Sequence, residues 1–208
     1  MSYFKKMSKI AFIIGNGKSR EHIKLDSLVG KGTSFGCNAL YRDYKPPYII
    51  PDYLVAMDPL MCDEIDHSDF PQDRFIVPPY HEQFEPKECN PNQPRNNAGM
   101  VAMNEAIKKQ FDTLYMFGFD FIIDDQGFSI DNIYEGTPCY GPETRASYSD
   151  NINRVKYMEW FAIKNNNINF KFVIPKTHRT IHRINSSNVT GMFYEDFCPL
   201  MGVQDNIG

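Results

Sequence analysis

Short runs of β-branched and aromatic residues, each closed by a turn or a helix-like stretch, constrain this chain more than any other feature. They fall at 9–14, 33–37, 53–57, 74–77, 113–117 and 169–174. Several are apolar almost throughout, which is the pattern of strands covered on both faces by helices. Between them, 97–110 carries Ala98, Val101, Ala102 and Ala106 on one helical stripe. A second helix is predicted from about Ser149 to Lys164, with Ile152, Val155, Met158 and Ala162 near one face and Ser147-x-x-Asp150 as its capping box. Strands alternating with helices predict an α/β fold. We expect one Rossmann-like domain over 1–208, with a mainly parallel sheet flanked by helices.

Composition supports one packed core. The chain has 208 residues, 42% hydrophobic and 14% aromatic, which excludes a disordered or collagen-like class. No apolar run reaches the roughly 20 residues of a membrane helix. The run Ile10-Ala11-Phe12-Ile13-Ile14 is too short for a signal peptide and reads as the first core strand. The net charge of −4 gives no generic affinity for nucleic acid or anionic membranes. Five dispersed cysteines without a C-x-x-C pair predict reduced thiols, a cytoplasmic setting and no structural zinc. Oligomerisation stays open.

Two stretches break the rhythm. Residues 78–95 hold five of the 14 prolines and are expected to form a surface excursion. Residues 124–148 are polar and rich in Gly and Pro, the length of a functional lid, and follow a strand directly. Such a loop lies where α/β sheets bind ligands, outside the carboxyl ends of the strands.

The strongest local motif is Ile13-Ile14-Gly15-Asn16-Gly17-Lys18-Ser19-Arg20. A strand ending in Gly-x-Gly lets the backbone turn tightly and approach a phosphate. Arg20 stands where the dinucleotide fingerprint has its third glycine, and Cys37-Asn38 stands where a ribose-binding acid belongs. NAD is therefore disfavoured. A plain tight turn is the competing reading of Gly-Asn-Gly. Asn38 offers a donor and an acceptor suited to ribose hydroxyls or a base edge, or else caps a helix. Asp58-Pro59 reads first as a helix cap. Gly118-Phe119-Asp120-Phe121 follows a strand and could hold a sugar hydroxyl or serve as a turn. His178 and His182 are four apart and share a face if that segment is helical, with solvated side chains as the simpler reading.

Taken in order, these patches resemble the bacterial sialyltransferases of glycosyltransferase family 42. That family opens with a strand and Gly-Asn-Gly-Pro-Ser-Leu, then Ile-Asp-x-x-x-Leu; here stand Gly15-Asn16-Gly17-Lys18-Ser19-Arg20 and Leu25-Asp26-Ser27-Leu28. Its Arg-Cys-Asn is matched by Gly36-Cys37-Asn38. Its Arg-Ile-Thr-Ser-Gly is matched by Arg95-Asn96-Asn97-Ala98-Gly99, and its Gly-Ile-Asp-Phe-Tyr by Gly118-Phe119-Asp120-Phe121-Ile122. The resemblance covers most of 9–175, leaving 176–208 as a C-terminal appendage to a nucleotide-sugar-binding core.

The resemblance implies a metal-independent glycosyltransferase that needs no cofactor. It would bind a CMP-sugar and transfer the sugar to a hydroxyl of a glycan or other acceptor. Gly15, Asn16, Gly17, Ser19 and Asn38 would contact the phosphate and sugar of the nucleotide. Asn97, Ala98, Gly99, Asp120 and Phe121 would line the cytidine pocket. The family's general base is a histidine just before the last long helix; the aligned position here is Ser149, and serine cannot deprotonate a sugar hydroxyl near neutral pH. His178 or His182 from beyond the last strand, or Asp124, Asp125 or Glu143 on the loop, are the substitutes. Tyr148 with Lys176 or Arg179 would stabilise a leaving phosphate. The family's tyrosine after Gly-x-Asp-Phe is Ile122 here. Two functions follow: a glycosyltransferase, or an inactive member of the same fold that binds a nucleotide or glycan or serves as a structural interaction protein. A transferase acting on nucleic-acid bases is disfavoured by the acidic balance.

Overall fold

The computed structural model describes residues 8–43, 50–124, 131–177 and 181–206. Among the described residues seven strands form one sheet: β1 Ile10–Ile14, β2 Thr33–Cys37, β3 Tyr53–Val55, β4 Phe75–Ile76, β5 Thr113–Phe117, β6 Asn169–Ile174 and β7 Val189–Phe193. Their spatial order is β4-β3-β2-β1-β5-β6-β7, and every neighbouring pair is parallel. The α-helices α1 Pro59–Asp66, α2 Ala98–Lys108, α3 Tyr148–Lys164 and α4 Tyr194–Met201 flank it. The protein has an α/β, Rossmann-like fold.

Side chains of the central strands alternate between two cores. On β1 and β5, Ala11, Ile13, Leu114 and Met116 join the cluster under α2 and α3, with Met103, Phe161 and Ala162. Phe12, Ile14, Tyr115 and Phe117 face the other cluster, with Ile65 of α1 and Tyr194 and Phe197 of α4. Phe12, Phe35, Phe117, Phe170 and Phe197 are fully buried, each contributing roughly 2–3 kcal/mol by removal from water. This two-sided covering is why these strands read as continuous apolar runs.

The structure revises several expectations. β7 and α4 were not anticipated: Val189-Thr190-Gly191-Met192-Phe193 is an edge strand, mostly exposed at its centre, so burial imposes little pattern on it. These elements lie within the stretch read as an appendage, yet β7 pairs with all but the first residue of β6, and Tyr194 and Phe197 are completely buried. The proline-rich stretch is also more than a surface excursion. An isolated bridge between Phe84 and Arg95 closes it, and Gln83, Glu85, Cys89 and Asn90 within it are buried. The capping box of α3 forms with Ser147 and Asp150, and Asp58 caps α1 through the Leu60 N–H.

Candidate functional site

The chain order reverses at β1, whose two neighbours are β2 and β5. The last residues of β1 and β5, Ile14 and Phe117, stand opposite each other, so both chains leave the sheet at the same level. A crevice forms at such a switch point because the chain departs in opposite directions on either side. Two glycines let the departing chains touch. Gly15 N–H donates to the Phe117 carbonyl at 2.8 Å and Gly17 N–H to the Gly118 carbonyl at 3.0 Å. A Cβ on Gly15 would stand 2.6 Å from the Gly118 oxygen. Gly118, at φ +69°, lies in the left-handed region that glycine accepts freely.

The crevice opens into a cavity of about 310 Å³. Of the residues assigned to a nucleotide site above, Gly15, Asn16, Gly17, Asn38, Asn97, Ala98, Gly99, Asp120 and Phe121 all line it. Ser19 lies behind the wall. Its N–H donates to Asp120 Oδ2 at 3.0 Å and its hydroxyl donates to Asp120 Oδ1.

The asparagines have different roles. Asn16 is fully engaged: Nδ2 donates to the Cys37 carbonyl (3.2 Å) and to the Tyr140 hydroxyl (3.1 Å), and Oδ1 accepts from Arg20 (3.3 Å). Arg20, almost completely buried, also donates to the Gly15 carbonyl, Asp43 and the Tyr134 hydroxyl. The residue that breaks the dinucleotide fingerprint is thus the post that holds the turn. Asn38 adopts φ +49° after β2; its side chain also bonds the Tyr140 hydroxyl, while its Oδ1 is buried without a partner. Asn97 caps α2, its Oδ1 accepting from Met100 N–H at 2.9 Å, while its Nδ2 is buried without a partner. Two residues that line one polar cavity therefore carry, respectively, an orphaned acceptor and an orphaned donor. Native structures rarely leave such groups unsatisfied, so they mark where a ligand or water bonds.

The remaining wall comes from the long loop and from α3. Asn132 bridges to Gly17, and Ile133 N–H donates to the Asn16 carbonyl at 2.9 Å, which seats the loop on the β1 turn. Asp131, Glu135, Tyr140, Arg145, Asn151 and Arg154 line the cavity from this side. These were not picked out from the sequence. Asn151 and Arg154 stand three apart in the first turns of a capped helix, a spacing that puts both on one face and offered a usable signal. Burial pushes the Tyr140 hydroxyl up to about 12 and the Cys37 thiol likewise to about 12, so neither ionises near neutrality. Burial raises Asp120 from 3.8 to about 6, with Asp131 adding to the effect and the Ser19 bonds and Arg20 opposing it.

Among the described residues, the candidates for the missing base lie outside the cavity lining. Ser149 is exposed and hydrogen-bonds to Ser147 Oγ at 2.8 Å, outside the cavity lining. His182 is also outside that lining; its Nε2 is buried 3.7 Å from Asp124 Oδ1, beside the Tyr148 ring. Tyr148 donates to Asp124 rather than pointing at the crevice. Glu143 is exposed and does not line the cavity. His178, Arg179 and Asp125 lie outside the described residues. Among the described residues, no group of three or more His, Cys, Asp or Glu could hold a metal ion. No helix among them is long and apolar enough to cross a membrane.

Fold and crevice together define an α/β protein with a polar, ligand-sized cavity at the switch point of its sheet. No protein-family model matches the chain, and no curated protein matches it. Solved structures that it resembles include the sialyltransferase CstII from Campylobacter jejuni in complex with the substrate analogue CMP-3FNeuAc. That match is 15% identical, covers 87% of this chain and 87% of the other, and has a TM-score of 0.43. A sialyltransferase CST-II structure with trisaccharide acceptor and CMP matches at 15% identity, covering 87% and 93%, with a TM-score of 0.43. Thiamine pyrophosphokinase from Bacillus subtilis matches at 14% identity over 80% of this chain, with a TM-score of 0.41; the match spans 61% of that protein's length.

Proposed function

We propose that the chain is a glycosyltransferase-like protein that binds a nucleotide-activated sugar, of CMP-sugar type, in the crevice beyond β1 and β5. The observation that carries this reading is the pair of orphaned amide atoms, Asn38 Oδ1 and Asn97 Nδ2, in one polar cavity. An acceptor suits a ribose hydroxyl, and a donor suits a phosphate or base carbonyl. Asn16 acts one step back: it holds Tyr140 and the β1 turn rather than offering a free amide. In sugar transfer the acceptor hydroxyl must lose a proton, and the cavity supplies carboxylates rather than a histidine. Asp120 has the raised proton affinity useful to a base near neutral pH, although both its oxygens accept from Ser19. Asp131 and Glu135 are paired with Lys18 and Arg145.

A second reading, nucleotide binding without turnover, is favoured by the placement of Ser149 and His182 away from the cavity. One pair of measurements separates the two. Calorimetry with CMP, UMP, GMP and AMP tests binding, and hydrolysis of CMP-, UDP- and GDP-sugars tests turnover. Asn38→Gly, which suits the positive φ, serves as the control. CMP binding weakened by Asn38→Gly, with donor hydrolysis, supports transfer; binding without hydrolysis supports the second reading. No binding of any nucleotide or donor overturns both.

A further inference from the structure

We propose that Arg154, together with the first turn of α2, is the seat of an oxyanion carried by the ligand, a phosphate or a carboxylate. The proposal rests on reading the crevice as a ligand site and adds the charge of what occupies one end of it. Arg154 lines the cavity from α3, where its Nη1 donates to Asn151 Oδ1 at 2.9 Å. Among the described residues no carboxylate lies within 4.0 Å of its guanidinium. The other arginine in the wall, Arg145, is neutralised by Glu135 at 2.5 Å. Surrounding protein desolvates Arg154 and lowers its proton affinity, with Asp150 and Glu85 opposing from further off. A guanidinium stays charged under such conditions, and this half-buried charge, with no carboxylate in direct contact, gains from an oxyanion that pairs with it.

The start of α2 lines the same cavity and is tied to α3 close to Arg154. Asn96 Nδ2 donates to the Tyr157 hydroxyl at 3.0 Å, tying the residue before the α2 cap to α3 one turn beyond Arg154. In the first turn of α2, Met100 N–H is taken by the Asn97 cap, while the N–H groups of Ala98 and Gly99 have no partner within a helix. Ala98 and Gly99 line the cavity, as does Asn97 with its orphaned Nδ2. Gly99 is required there, because a Cβ would stand 2.8 Å from the Phe119 ring. A fixed guanidinium, a free amide N–H₂ and the positive end of a helix all favour negative oxygen.

Calorimetry on the full chain tests this with four probes: inorganic pyrophosphate, CMP, cytidine and N-acetylneuraminic acid. Arg154→Gln is expected to weaken the anionic ligand about tenfold or more, as loss of a charge-assisted contact requires, and to leave cytidine unchanged. Arg154→Lys restores part of the loss, since it keeps the charge without the fork. Should Arg154→Gln fail to fold, Asn97→Asp gives the same test: it keeps the cap acceptor but sets a negative charge at the seat. Loss confined to CMP and pyrophosphate names phosphate as the source, and loss confined to the sugar acid names the carboxylate. Pyrophosphate bound through Arg154 without any nucleoside binding upholds the seat while removing the nucleotide reading. An anion bound equally by wild type and variants overturns the seat, as does a chain that binds cytidine but no anion.

Discussion

Ser19 closes on the carboxylate of Asp120 with both its backbone N–H and its hydroxyl, 101 residues away in the chain. This contact ties the turn after β1 to the turn after β5 across the point where the sheet reverses. Gly17 makes room for it: a Cβ there would lie 2.4 Å from the Asp120 carboxyl carbon.

Asp120 makes stability depend on pH with an unusual sign. Its folded-state value is raised to about 6 from an ordinary 3.8, so between those values the folded state binds more protons than the unfolded chain. Stability therefore falls as pH rises from about 4 to about 6, and the penalty is complete above that, on the order of 2–3 kcal/mol. Asp120→Asn removes the titration. Urea midpoints from pH 4 to 7 should show the difference between variant and wild type moving in favour of the variant across that window. Parallel profiles would falsify the assignment.

Arg20→Ala should cost about 3 kcal/mol, because a buried cation that bonds Gly15, Asn16, Asp43 and Tyr134 leaves those partners unmatched. Denaturant titration measures the loss. CMP affinity measured well below the new midpoint should also drop, since Asn16 and Tyr140 lose their fixed geometry. Unchanged affinity counts against a positioning role.

Gly15→Ala is expected to cost about 1–3 kcal/mol by overpacking. Its Cβ meets the Gly118 oxygen at 2.6 Å and the Phe117 oxygen at 3.1 Å, both backbone atoms that cannot swing aside. A thermal melt equal to wild type sinks this account of the turn.

Asn97 separates stability from binding. Asn97→Ala deletes the cap and should lose about 1 kcal/mol. Asn97→Asp retains the acceptor for Met100 N–H and should keep that stability while weakening a bound anion. If Asp and Ala variants both bind ligand as well as wild type does, Nδ2 is not a ligand contact.

Ser147→Ala should cost about 1 kcal/mol through the capping box of α3. The Ser147 bonds hold the Asp150 carboxyl below its ordinary range. Its contribution is thus present above the unfolded value and lost as pH falls through the depressed folded value. Urea midpoints of the variant and wild type should converge in acid.

The strands β1, β2, β5 and β6 were legible because burial on both faces writes itself into consecutive residues such as Phe12, Ile13 and Ile14. β7 was not, since an edge strand with an exposed Gly191 carries little of that imprint. The glycines, Asn38, Asn97 and Asp120 were legible as turn-forming or polar residues at strand and helix ends, where ligand contacts concentrate. Their division of labour was not. Whether an asparagine amide is spent on Arg20 and Tyr140, as in Asn16, or left open, as in Asn97, depends on tertiary partners such as Tyr140, 124 residues from Asn16.

The sequence by itself determined the α/β class, the parallel sheet and the neighbourhood of the crevice, because hydrophobic periodicity and glycine placement are local properties of the chain. Only the tertiary structure decided which side chains meet there. It brought Arg154 and Asn151 of α3 into the lining of the same cavity as the first turn of α2, and it left Ser149 and His182 outside. Electrostatic and hydrogen-bond complementarity exists only between groups that folding has made neighbours, and no local pattern records that choice.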